Sequence, residues 1–136
     1  MQRPPLALLM VIPLAAQADL EISDAWIKNL PASVSVRAGY LTLRNLTRQS
    51  VTIVGATSPH FASVEFHRSV SQDGMARMEA VPKLQIEVGA TVRLEPGGLH
   101  LMMMQPALPT SPGELYRITF EYADGSRQSL QMEVRK

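Results

Sequence analysis

The stretch LYRITFEYADGSRQSLQMEVR, residues 115–135, decides the fold class. Tyr116, Ile118 and Phe120 alternate with other residues, and Leu130, Met132 and Val134 do the same after an interruption. Successive side chains of a strand point to opposite faces, so each run reads as a strand with one buried face. Ala123-Asp124-Gly125-Ser126 between them supplies the turn chemistry of a hairpin. The same texture extends outward along the chain. GYLTLRN (39–45), QSVTIVGA (49–56), ASVEFHRSV (62–70), TVRLE (91–95) and LHLMMM (99–104) are short alternating or β-branched runs cut by turn residues. No segment keeps helical periodicity over three turns. The pattern predicts an all-β sandwich or barrel of about seven to eight strands in two sheets. QPALPTSPGE (105–114), with three prolines, reads as an ordered surface connection.

The chain has 136 residues, 46% of them hydrophobic, which suits one domain and argues against disorder. Its beginning, MQRPPLALLMVIPLAAQA, has a basic residue at Arg3, an apolar run from Leu6 to Ala15 and a small-x-small site at Ala16-Gln17-Ala18. These features predict a signal peptide over residues 1–18, cleaved after Ala18, and a single domain over 19–136. The apolar run is too short to span a bilayer, so no stable membrane insertion is expected once it is removed. Cleavage takes away Arg3 and no acid, so Lys+Arg falls from 13 to 12 against 12 Asp+Glu. A domain of zero net charge has no electrostatic footprint for nucleic acid or for an anionic membrane surface. The sequence has no cysteine, hence no disulfide, no nucleophilic thiolate and no acylated cysteine at the cleavage site. In an oxidising compartment a metal site made of histidine and methionine resists oxidation better than one made of thiols.

Metal chemistry gathers in two segments. In EFHRSVSQDGMARME (65–79), Asp73-Gly74 suits a type I′ turn, which pairs Val70 with Arg77 and Ser69 with Met78. His67 then shares a face with Met78 as its diagonal neighbour, about 7–8 Å away at the backbone. In LEPGGLHLMMM (94–104) a Pro-Gly-Gly turn precedes a strand on which His100, Met102 and Met104 share one face and Leu101 and Met103 the other. If the His100 face meets the 67/78 hairpin, two imidazoles and two thioethers converge. Thioether sulfur is soft and neutral and selects Cu(I) over Zn(II), Mg(II) or Ca(II). Without cysteine there is no blue-copper centre, so the set suits a carrier rather than an electron-transfer protein.

His67, Met78, His100 and Met102 spell H-x10-M-x21-H-x-M. In this motif, and in AWIKNLP (25–31), AGYLTLRN (38–45), VEFH (64–67), QDGMARM (72–78) and EPGGLHLMMM (95–104), the chain resembles the periplasmic copper chaperones of the PCu(A)C type. The resemblance implies a cupredoxin-like Greek-key β-sandwich or barrel and Cu(I) held by those four residues. It implies periplasmic delivery of copper toward the CuA centre of cytochrome c oxidase, with the CuA-bearing subunit or a Sco-type protein as partner. Two departures stand out. Arg68-Ser69 follows the first histidine where many members have a methionine, so a cation is expected near the site. The chain also stops at Arg135-Lys136 without the His/Met-rich tail that gives some members a second copper site.

Each residue also has a plainer reading. Single strand methionines are core filler more often than ligands, so Met78 and Met102 stand on their spacing to the histidines. Met104, on the His100 face, is an auxiliary candidate, and so is Met75 beside the turn. Met103 and Met132 are expected in the core, His60 at the surface, and Trp26 and Tyr40 in core or rim packing. Glu65 and Glu79 flank the ligands and are candidates to accept an imidazole N–H. The leading reading is a Cu(I) chaperone without enzymatic activity. A copper-buffering or tolerance protein without a dedicated client, and a metal-free β-sandwich interaction domain, are the alternatives.

Overall fold

Apart from Gln2, the computed structural model describes residues 19–136, so the expected signal peptide and its cleavage site lie outside the described residues. The described chain is all β. Its strands are β1 (Glu21–Lys28), β2 (Val36–Arg44), β3 (Val51–Thr57), β4 (Phe61–Gln72), β5 (Met75–Ala80), β6 (Leu84–Ile86), β7 (Thr91–Leu94), β8 (Leu99–Pro106), β9 (Leu115–Tyr122) and β10 (Arg127–Arg135). Seven of them, in the order β4-β8-β2-β1-β10-β9-β3, close into a barrel where Ala56 of β3 pairs with Val64 of β4. β5, β6 and β7 extend β4, β3 and β2 beyond the barrel wall. Closure pairs each of the seven barrel strands on both sides along part of its length, which removes open edge strands from the barrel itself.

Ten strands form rather than seven or eight, for identifiable reasons. β6 is three residues long, below the length at which alternation is legible. β1 hides its pattern behind a bulge: Ser23 pairs with Thr42 but Trp26 pairs with Tyr40, so one extra residue sits on β1. Asp24, at φ 53°, makes that bulge. It resets the phase so that Ile22 and Ile27, five apart, both pack on the core.

Inward residues of the barrel strands form one core, in which Ile27, Leu43, Ile53, Leu101, Met103, Ile118, Phe120, Met132 and Val134 have no solvent exposure. Met103 and Met132 are therefore core, as their spacing predicted. β2 lines this interior with Arg37, Gly39, Leu41 and Leu43, and Asn45 follows them. The two polar residues, Arg37 and Asn45, are hydrogen-bonded to neutral partners. Arg37 donates to Thr110 Oγ1 at 2.7 Å and to the carbonyls of Val34 and Val36 at 2.7 and 2.8 Å. Asn45 donates to the carbonyls of Gln49 and Ile86 at 2.8 and 2.9 Å. Thr110, buried beneath Arg37, ties the 105–114 connection to the barrel as an ordered segment.

Local turn chemistry sets the hairpins. Asp73 and Gly74 both have positive φ, 53° and 75°, the signature of a type I′ turn. The β4–β5 register follows from it, with Ser69 opposite Met78 and Val70 opposite Arg77. β4 is long enough to serve twice: its first half closes the barrel, and its second half carries β5 past the barrel end.

Candidate metal centre

β8 pairs antiparallel with β4, and the register sets His67 directly opposite His100 and Glu65 directly opposite Met102. On its other side β4 sets His67 opposite Ala80 and Ser69 opposite Met78. Phe66 and Leu101 fill the core, so these residues lie on the outer face of the three-strand patch β8-β4-β5. The two imidazoles face each other across one strand pair, with ring centroids 6.3 Å apart and planes inclined by 42°. Met102 lies one row from the pair on β8, and Met78 one row from it in the opposite direction on β5. Burial is graded across the patch. His100 is 4% exposed, Met102 is half-buried, and Met78, on the free outer strand, is 56% exposed.

The hydrogen bonds of the rings are specific. His100 Nδ1 lies 2.9 Å from the carbonyl oxygen of Gly98, so Nδ1 carries the proton and donates. Its Nε2 is buried and has no hydrogen-bond partner, alone in this respect among the described residues. Leaving a buried polar atom unpaired costs about 1–3 kcal/mol, and such an atom in a folded protein calls for an explanation. The Pro-Gly-Gly turn creates the arrangement. Gly97 at φ 83° lets the chain reverse between β7 and β8 and brings the Gly98 carbonyl under the ring. His67 Nε2 lies 2.9 Å from Glu65 Oε2. Glu65 is thus the carboxylate that reaches an imidazole, while Glu79 pairs with Arg77 at 3.0 Å.

Other expected residues distribute as alternation requires. Met104 pairs with Ser63 and Val36 and lies on the outer face one row beyond Met102. Met75 pairs with Gln72 and is 73% exposed, on the opposite face of the hairpin from Met78. The register thus corrects the expectation of Met75 as an auxiliary donor, since it turns away from the histidines. Arg68, expected as a cation near the site, pairs with Leu99 and Glu79 and also lies on that opposite face. His60 is half-buried, not simply surface: its ring packs edge-on against Tyr116 at 4.6 Å. Trp26 and Tyr40 pack together at 4.9 Å on neighbouring strands, as expected. The Gly98 carbonyl is a functional group that residue types do not announce; its signal in the sequence is the Pro96-Gly97-Gly98 turn before His100. Among the described residues no three His, Asp or Glu side chains cluster as a metal site.

A family model described as "Putative lipoprotein LpqE-like" matches residues 20–134. The chain belongs to this LpqE-like family, of PCuAC type. This LpqE-like protein is 32% identical over 121 residues to "Putative lipoprotein Lxx21020" of Leifsonia xyli subsp. xyli (strain CTCB07), covering 88% of the chain and 72% of that protein. It is 26% identical over 125 residues to "Uncharacterized protein RP573" of Rickettsia prowazekii (strain Madrid E), covering 89% and 69%. Its fold matches the copper-bound PCuAC domain from PmoF2 with a TM-score of 0.72 at 17% identity, over 88% of this chain and 95% of that one. It also matches the solution structure of Cu(I)-DR1885 from Deinococcus radiodurans with a TM-score of 0.70 at 31% identity, over 90% and 82%.

Proposed function

We propose that this protein is an exported Cu(I) carrier in which His67, Met78, His100 and Met102 hold the ion. The observation that carries the reading is the buried, unpartnered Nε2 of His100, in a ring that faces His67. A ring whose nitrogen sits about 2.0 Å from a metal has its centre about 3.2 Å from that ion, so two rings on one ion lie at most about 6.4 Å apart. The 6.3 Å separation is within that reach, and a small approach of His67 bends the angle enough to admit sulfur. Two neutral imidazoles and two neutral thioethers favour a soft monovalent ion over hard divalent ones. The solved Cu(I) form of a relative at 31% identity supports the same cargo.

Copper here is cargo, and the graded burial suits its transfer. His100 forms the inner wall of the site and Met78 its outermost, solvent-facing donor. A docked acceptor replaces Met78 first, then Met102, and draws the ion onto stronger thiolate ligands by ligand exchange. No bond of an organic substrate is made or broken, so the protein is a chaperone rather than an enzyme. The acceptor we assign is the CuA-bearing subunit of cytochrome c oxidase or a Sco-type protein, in the periplasm. The family description and the name of the Leifsonia relative, both of which say lipoprotein, support export to the cell envelope.

The test is a Cu(I) competition titration against a chromophoric chelator, run on the wild type beside M78A/M102A. One equivalent withheld from the chelator by the wild type and surrendered by the variant is expected. A wild type that leaves all Cu(I) with the chelator overturns the reading.

A further inference from the structure

We infer that Glu65 is a positioning residue that makes the two histidines bind copper through different ring nitrogens, His67 through Nδ1 and His100 through Nε2. The inference rests on the copper reading above and specifies how the site is held ready. Glu65 and His67 are two residues apart on β4, so their side chains rise from the same face. Glu65 Oε2 lies 2.9 Å from His67 Nε2. A carboxylate oxygen accepts and does not donate, so Nε2 carries the proton, and in the neutral ring Nδ1 holds the lone pair. At His100 the roles are reversed. Its Nδ1 faces the Gly98 carbonyl, also an acceptor only, so the lone pair falls on the buried Nε2. Two facing histidines are therefore fixed as opposite tautomers, each by an acceptor on its own strand or turn. A metal-bound imidazole is commonly held this way, with its second N–H given to a carboxylate or carbonyl that sets the ring's orientation and basicity.

The split has a geometric consequence. Nδ1 lies close to the backbone of its residue, whereas Nε2 lies at the tip of the ring. His100 thus reaches across toward β4, and His67 holds the ion near its own strand. That draws the ion toward the β5 side of the patch, where Met78 is the diagonal neighbour of His67. Glu65 itself is a hard anionic donor, ill matched to Cu(I), and its oxygen is occupied by the ring N–H. The charged residues nearest on β4 and β5 do not compete for it. Arg77 pairs with Glu79, and Arg68 lies on the opposite face.

The experiment is long-range 1H–15N correlation of the imidazoles at pH 8, on the metal-free protein and after one equivalent of Cu(I), for the wild type, E65Q and E65A. In the metal-free wild type His67 is expected with Nε2 protonated and His100 with Nδ1 protonated. Cu(I) should then shift His67 Nδ1 and His100 Nε2 and leave the other two nitrogens protonated. E65A should release His67 into a mixture of tautomers and weaken Cu(I) binding about 10- to 100-fold in chelator competition. E65Q keeps an acceptor oxygen and should retain the tautomer with a smaller loss. A metal-free His67 protonated at Nδ1, or an E65A that leaves tautomer and affinity unchanged, overturns the assignment. Copper bound through His67 Nε2 overturns it while leaving the copper reading intact. The assigned tautomers with no Cu(I) uptake by the wild type overturn the copper reading.

Discussion

Met102 and Met103 are neighbours in sequence and opposites in the structure, so alanine at each should produce separable failures. Met103 is wholly buried inside the barrel, and a Cβ built on Gly39 would lie 2.5 Å from its terminal methyl. The walls around it are hydrogen-bonded strands that cannot collapse into a void, so M103A should cost about 3 kcal/mol, within the usual 2–5 for such truncations. The described stretch 19–136 has 118 residues, since 136 less 18 is 118. At about 2.1 cal/mol/K per residue its unfolding entropy is about 0.25 kcal/mol/K, so the loss lowers Tm by about 12 °C. Met102 is half-buried on the outer face, and M102A should change stability by less than about 1 kcal/mol, or about 4 °C. Cu(I) affinity should respond in the opposite order. M102A removes a donor proposed above and should weaken binding about tenfold or more, worth at least about 1.4 kcal/mol, while M103A should bind as the wild type does at a temperature where it is folded. Calorimetric melting together with chelator competition on both variants reads the two quantities. Loss of Cu(I) by M103A with Tm unchanged, or a fall in Tm for M102A equal to that of M103A, would refute the face assignment of β8.

Other outcomes follow from particular contacts. G39A should lose about 1–3 kcal/mol in urea unfolding, because its Cβ would crowd Met103, Met132 and Leu101 at 2.5, 3.2 and 3.3 Å; adding M103A should restore part of that loss. R37M strips Thr110 and the carbonyls of Val34 and Val36 of a donor, so stability should fall by at least about 2 kcal/mol in the same assay with Cu(I) binding retained. Burial, helped by the carboxylates of Asp19 and Asp124, pushes the Tyr122 phenol from 10.0 up to about 12. Its raised value favours the neutral phenol in the fold. That contribution is complete below pH 10 and lost as pH rises through 12, so unfolding midpoints should fall less steeply across this range for Y122F than for the wild type. Cu(I) affinity should weaken from pH 7 to pH 5, since imidazoles must be neutral to bind, and a flat affinity across that range would contradict histidine ligation.

Much of this molecule is encoded locally. The β4–β5 register was legible because Asp73-Gly74 admits a turn with two positive φ values, and that turn counts residues outward to Ser69 and Met78. The faces of β8 were legible because alternation is intrinsic to an extended chain. β1 was not, because its bulge at Asp24 breaks the alternation that the reading depends on. Arg37 was equally opaque. Its burial depends on Thr110, 73 residues away, and on carbonyls that only the closed barrel end assembles around it.

The sequence by itself determined the all-β class, the two hairpins, the side on which each methionine of 102–104 emerges, and the spacing of two histidines and two methionines in the motif. These are consequences of local backbone preference and side-chain chemistry, which act over a few residues. Only the tertiary structure decided that β8 runs beside β4 with His100 against His67 and that β1 runs parallel with β10. It alone decided the burial of His100 and which oxygen each imidazole meets, Glu65 Oε2 for His67 and the Gly98 carbonyl for His100. These pairings join segments more than thirty residues apart, and their free energy comes from ladder hydrogen bonds and a shared core face that exist only once both strands are in place. No local pattern contains that quantity.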